Sequence, residues 1–162
     1  PEPRPFGLEI WPDATVFAQT YEAGQPQVVW TRLVADLETP VSAYLKLARG
    51  RTPSFLLESV EVEPTVAAFI IGLQPDIIWR ARGDKAEINR TPLHDPDAFV
   101  ADRQPTLASL RQILDESRLD LDESLPPMAA GVFGYMGYDT VRLIEHLPDC
   151  PSDDLDVPDA IL

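Results

Sequence analysis

Residues 54–89 carry four strand-forming runs in succession, and no other stretch limits the possible folds so strongly. Phe55 to Val62 and Val66 to Leu73 read as two strands joined around Pro64. Ile77 to Arg82 and Lys85 to Asn89 read as a hairpin over Gly83-Asp84, where a turn-forming pair separates two strand runs. Gln27 to Val34 is a further continuous run of strand formers. Helical patterns lie on either side. Asp13 can cap a helix that carries Phe17 and Tyr21 four apart on one face and stops at Gly24. Thr39-Pro40 sets a cap before a proline at the first helical position, and Val41, Tyr44, Leu45 and Ala48 then form a stripe ended by Gly50. Leu107, Leu110, Ile113 and Leu114 make the clearest amphipathic pattern. Strands and helices mix without a βαβ rhythm. The expected fold is therefore α+β, a mostly antiparallel sheet flanked by helices.

Residues 1–10 read as a loose leader and residues 11–162 as one domain, long enough to bury roughly 70% of its unfolded surface. Asp95 to Asp102 reads as a turn with a short helix. Pro126-Pro127 breaks the chain, Ala129 to Tyr138 reads as a glycine-bearing strand, and Asp139 can cap a helix through Val141, Leu143 and Ile144. Asp149 to Asp154 is loop-like, and Val157 to Leu162 ends on apolar residues. The 17 prolines are scattered as punctuation and gather into no linker.

Charge narrows the functional classes. Residues 1–94 hold 12 acidic and 9 basic side chains, and residues 95–162 hold 15 and 4, within a net charge of −14. Such a surface repels nucleic-acid phosphates and anionic membranes, so neither is an expected partner. The acidic half is a solvated face or a docking face for a basic partner. No apolar run approaches the roughly 20 residues that cross a bilayer. With no secretory leader and a lone Cys150, the expected location is cytoplasmic.

Among candidate site residues, Leu57, Glu58 and Ser59 come first. They end a strand that is apolar on both faces with a carboxylate and a hydroxyl. A carboxylate pairs with a ligand ammonium and a hydroxyl adds a directional hydrogen bond. The ordinary alternative is a solvated strand end. Gly131, Gly134 and Gly137 recur every third residue, which is not the spacing of a phosphate loop; they read as places of close backbone or ring approach. Tyr135 and Tyr138 read as packing residues. Arg82-Gly83-Asp84 matches an adhesion tripeptide but is accounted for by a hairpin tip, and Asn89-Arg90-Thr91 fits an unused glycosylation sequon. His94 and His146 read as surface residues on a turn and a helix. No catalytic constellation and no metal-ligand spacing emerges.

Several motifs, in order from about Tyr21 to Leu162, resemble the N-terminal region of anthranilate synthase component I. They are Thr39-Pro40-Val41-Ser42-Ala43-Tyr44-Leu45, Leu56-Leu57-Glu58-Ser59, Ile71-Gly72-Leu73-Gln74-Pro75-Asp76, Trp79-Arg80 and Gly131 to Asp139. The resemblance implies a part of that family's sandwich architecture. It also implies that Leu57, Glu58 and Ser59 belong to a feedback site for L-tryptophan. The intact family enzyme makes anthranilate from chorismate with Mg²⁺ and with ammonia from a glutamine amidotransferase subunit. The chorismate and metal residues lie in its C-terminal portion, so no catalytic residue, metal ligand or cofactor is expected in these 162 residues. One stretch departs from the family: Val62 to Phe69 replaces a glycine-rich run with a basic residue near the ligand. Loss of that charged hydrogen bond is worth roughly 1.5–3 kcal/mol, or one to two decades in affinity. Two other readings stand beside this one: a standalone non-enzymatic interaction domain, and part of aminodeoxychorismate synthase component I.

Overall fold

A computed structural model of the chain describes residues 8–58, 69–149, 152–153 and 155–162. Residues 1–7 of the expected leader, Ser59, residues 62–68 of the departure and Cys150 lie outside the described residues, and Ile10, at the end of that expected leader, is in a strand. The architecture is mixed α+β with antiparallel sheets flanked by helices, as the run pattern predicts. The chain divides into two compact units, Pro1–Leu37 with Ser117–Gly131, and Glu38–Glu116 with Val132–Leu162.

In the first unit, strand β1 (Ile10–Trp11) pairs antiparallel with β2 (Trp30–Thr31), and helix α1 (Ala14–Glu22) lies between them in sequence. Asp13 caps α1 by accepting from the backbone N–H groups of Thr15 at 2.8 Å and Val16 at 3.1 Å, and Phe17 stacks on Tyr21. Gly24 takes up a left-handed φ of 65° just beyond the helix. The strand expected over Gln27 to Val34 forms only at Trp30–Thr31. Its partner offers two residues before Pro12, which has no N–H to extend the ladder.

The second unit begins with α2 (Pro40–Ala48). Thr39 and Ser42 form a reciprocal capping box, Ser42 N–H donating to Thr39 Oγ1 and Thr39 N–H to Ser42 Oγ. The helix closes on Arg49 in the left-handed region, followed by Gly50. Of the stripe expected to be buried, Ala48 is buried and Tyr44 half-buried, while Val41 and Leu45 are exposed. Next, β3 (Ser54–Glu58) pairs antiparallel with β4 (Phe69–Leu73). The predicted hairpin follows as β5 (Ile78–Arg82) and β6 (Lys85–Asn89).

These two strands form the middle of a five-stranded antiparallel sheet. Beyond β6 lies β7 (Val100–Ala101); beyond β5 lie β9 (Ala160–Ile161) and then β8 (Tyr135–Met136). Asp95 to Asp102 thus contains turns and a short strand, not a helix, because Val100 pairs with Ile88 and Ala101 with Glu87. Ala129 to Tyr138 is strand only at β8, where Ile161 and Ala160 supply partners. Asp139 does not cap a helix. It lies in the first turn of a 3-10 helix (Tyr138–Leu143) with Gly137 as the cap position, and its carboxylate pairs with Arg142.

Alternation of side chains decides the core. Trp79, Ala81, Ala86 and Ala160 are buried with Ile113 of α3 (Thr106–Glu116), and Ile77, Ile88, Leu110 and Leu162 pack around them. Trp79 is 1% exposed, and burial of an indole of about 150–250 Å² is worth roughly 4–6 kcal/mol of transfer free energy. On the opposite face Arg80 pairs with Glu87 at 2.8 Å and lies 3.7 Å above the Phe99 ring. The expected leucine stripe of α3 is displaced: Thr106, Ser109 and Ile113 are buried, Leu107 and Leu110 half-buried, and Leu114 exposed. Polar contacts fix that rotation. Ser109 Oγ accepts from Trp79 Nε1 at 2.9 Å and donates to Asp102 Oδ2 at 2.6 Å.

Candidate functional site

The strand that carries Leu57 and Glu58 is built by opposing pairs. Ser54 faces Leu73, Phe55 faces Gly72, Leu56 faces Ile71, Leu57 faces Ile70 and Glu58 faces Phe69. Side chains alternate across a strand, so Ser54, Leu56 and Glu58 share one face and Phe55 and Leu57 the other. The first face is the one toward α2: Tyr44 Oη and Ser54 Oγ are hydrogen-bonded at 3.0 Å. On the second face the Phe55 ring covers Gly72 and tilts against Phe133, with 5.3 Å between centroids. A Cβ on Gly72 would lie closer than 3.0 Å to that ring, so glycine is what allows the ring to settle there.

The structure therefore separates two of the three candidate residues. Leu57, 46% exposed, lies on the Phe55 side, and the exposed Glu58 lies on the α2 side. Chemically the hairpin end offers an apolar surface on one face and a carboxylate on the other. Phe55, Gly72 and Phe133 complete the apolar face. Of these only Gly72, a glycine inside an apolar run, carries a local signal; the Phe55–Phe133 contact spans 78 positions and leaves none.

The remaining candidates are placed as follows. His94 is exposed in a turn, where its backbone N–H donates to Thr91 O. His146 is exposed beyond the 3-10 helix rather than on it. Arg82-Gly83-Asp84 is a hairpin tip bound into the fold: Gly83 N–H donates to Asp159 Oδ2, and Asp84 Oδ1 accepts from Thr106 N–H at the start of α3. Gly134 and Gly137 are close approaches. A Cβ on Gly134 would lie closer than 3.0 Å to the Ile161 carbonyl oxygen, and one on Gly137 would lie 3.0 Å from that of Asp159. Tyr135 Oη donates to Pro158 O at 2.7 Å, but Tyr135 and Tyr138 are both exposed, so neither packs within the core. Among the described residues no three or more His, Cys, Asp or Glu side chains are grouped to hold a metal ion. No helix among them is long and apolar enough to cross a membrane.

A recess of about 860 Å³ lies within the first unit, lined by Trp11, Asp13, Gln27, Trp30, Arg118 and Asp120 among others. Trp11 and Trp30 stack there at 4.5 Å, with the Arg32 guanidinium 5.1 Å from the Trp30 ring. Gln27 Nε2 donates to Phe17 O, while its Oε1 is buried without a partner among the described residues. Two carboxylates of this recess, Asp13 and Asp122, accept from nearby backbone donors. Asp13 is held below the usual carboxylate range chiefly by the Val16 and Thr15 N–H groups, and Asp122 by the Ser124 hydroxyl and N–H.

No protein-family model matches the chain. It is 46% identical over 147 residues, 90% of its length, to a protein of Cereibacter sphaeroides named anthranilate synthase component 1. Proteins of the same name from Thermus thermophilus and Mycolicibacterium smegmatis are 38% and 36% identical over 79% and 81% of the chain. The fold is that of an α+β protein homologous to biosynthetic enzyme components. The chain belongs to the anthranilate synthase component 1 family. It spans 29%, 26% and 24% of the length of these three relatives.

Proposed function

We propose that these residues form the N-terminal, tryptophan-responsive part of an anthranilate synthase component 1. The observation that carries the reading is the 46% identity over 90% of the chain to a protein of that name. The exposed end of β3 supports it: Glu58 is accessible to a ligand ammonium on the α2 face, and Leu57 offers apolar surface on the opposite face. In this reading Leu57, Glu58 and Ser59 contact L-tryptophan, and the ligand favours an inactive arrangement of the whole enzyme by binding it more tightly than the active one. The whole enzyme makes anthranilate from chorismate in the cytoplasm, with ammonia from a glutamine amidotransferase subunit. Its magnesium is assigned to residues beyond these. The described carboxylates do not group as a metal site, so no step here runs through the metal.

Calorimetric titration with L-tryptophan tests the reading. Binding by the chain should weaken about tenfold or more in Ser59→Ala and in Glu58→Gln, as expected for loss of a hydrogen bond to a charged group. Micromolar binding indifferent to both substitutions would place the pocket elsewhere. Incubation of the chain with chorismate, Mg²⁺ and ammonia should yield no anthranilate; measurable turnover refutes the assignment of catalysis to other residues.

A further inference from the structure

The apolar face of β3 is joined to the five-stranded sheet through an aromatic contact. Phe55 is pinned from beneath by Gly72, where only a hydrogen leaves room for the ring, and from the side by Phe133 at 5.3 Å and 36°. Phe133 in turn cannot shift freely. The next residue, Gly134, lies against the backbone of Ile161, and Tyr135 and Met136 pair with Ile161 and Ala160. Gly137 N–H donates to Asp159 O at 2.7 Å. Leu162 exchanges hydrogen bonds of 2.9 and 2.8 Å with Trp79 at the core. Each of these links from β3 to the core is a close packing contact or a backbone hydrogen bond. Such packed arrangements shift between discrete positions and do not yield gradually.

We propose that Phe133 is a positioning residue for the candidate site: through Phe55 it sets where β3 lies, and it carries a displacement of β3 to the edge strand β8 and back. The identity of the ligand rests on the reading above; the coupling rests on the geometry. Leu57, two residues beyond Phe55 on the same face, moves with it. Glu58 follows as its neighbour in the chain. Occupation of the hairpin end is thereby felt at Tyr135 and Met136, on the outer edge of the five-stranded sheet.

Amide hydrogen exchange on the ligand-free chain tests the coupling. Phe133→Ala should speed exchange in β3 and β4 by about tenfold or more while the amides of α3 stay within about twofold, the mark of local and not global opening. Phe133→Tyr, which keeps the ring, should restore slow exchange. Reciprocally, Phe55→Ala should speed exchange at Tyr135 to Gly137, and Phe55→Leu serves if the alanine variant unfolds. Effects confined to the substituted strand overturn the coupling, as does a uniform rise across α3 with no rescue by Tyr. L-tryptophan added to the unaltered chain separates the two claims. Protection at both β3 and β8 supports the coupling, and protection at β3 alone overturns it. Failure of L-tryptophan to alter any amide overturns the ligand reading, while the ligand-free pattern by itself supports or overturns the coupling.

Discussion

Ser109 shows how one hydroxyl holds several elements. It accepts from the buried indole N–H of Trp79 and donates to Asp102, whose other oxygen accepts from Gln104 N–H at 3.1 Å. Ser109→Ala strands the Trp79 donor in the core, and the expected loss is about 1–3 kcal/mol in a denaturant titration. The Asp102 carboxyl is held below its ordinary value of 3.8, first by the Ser109 hydroxyl and then by Gln104 N–H. A carboxyl whose pKa is lower folded than unfolded stabilises above the unfolded value. That contribution is lost as pH falls from 3.8 through the folded value. Asp102→Asn should therefore be less stable than the unaltered chain at neutral pH, and the gap should close on acidification below the ordinary carboxylate range. Urea midpoints followed down the pH scale check both. Gly134 sets a steric limit of another kind. Gly134→Ala presses a methyl on the Ile161 carbonyl, a backbone atom without a rotamer to escape, and should cost about 1–3 kcal/mol in chemical unfolding.

At the level of elements, several locally closed features were readable from neighbouring residues, although the expected Asp139 cap was not among them. The Asp13 cap, the Thr39–Ser42 box and the Gly83-Asp84 turn all close within a few residues, and each forms where its residue types predict. Thr39→Ala should remove about 1 kcal/mol by leaving the Ser42 N–H without its cap, seen as a lower midpoint in thermal or urea unfolding. Elements whose existence depends on a distant partner were legible only in part. Gln27 to Val34 has strand propensity throughout but is paired at two residues. The leucines of α3 predict a helix correctly, yet Thr106 and Ser109 occupy its buried face because Asp84, Gly83, Trp79 and Asp102 wait there for their polar atoms. Propensity registers apolar periodicity; it does not register a hydrogen-bond partner twenty or thirty residues away.

Across the whole molecule, the consequential pairing is that of β9, which enters the sheet between β5 and β8. Ala160 is fully buried, and Leu162 is tied to Trp79 in both directions. The apolar residues Ala160 to Leu162 thus have a place in the fold, while Val157 stays exposed. Deleting residues 157–162 should expose the Trp79 core and abolish the cooperative melt, followed by near-ultraviolet circular dichroism; a sharp transition in the shortened chain would show β9 to be dispensable. By itself the sequence determined the α+β class, the caps at Asp13 and Thr39, the central hairpin and the kinship with anthranilate synthase component 1, because these depend on neighbouring residues or on ordered motifs. Only the tertiary structure decided that Leu57 and Glu58 lie on opposite faces of β3 within a paired hairpin, that Phe133 meets Phe55, and that the last residues complete the sheet. Those facts are set by register and long-range packing, where the residues that choose each other lie far apart along the chain.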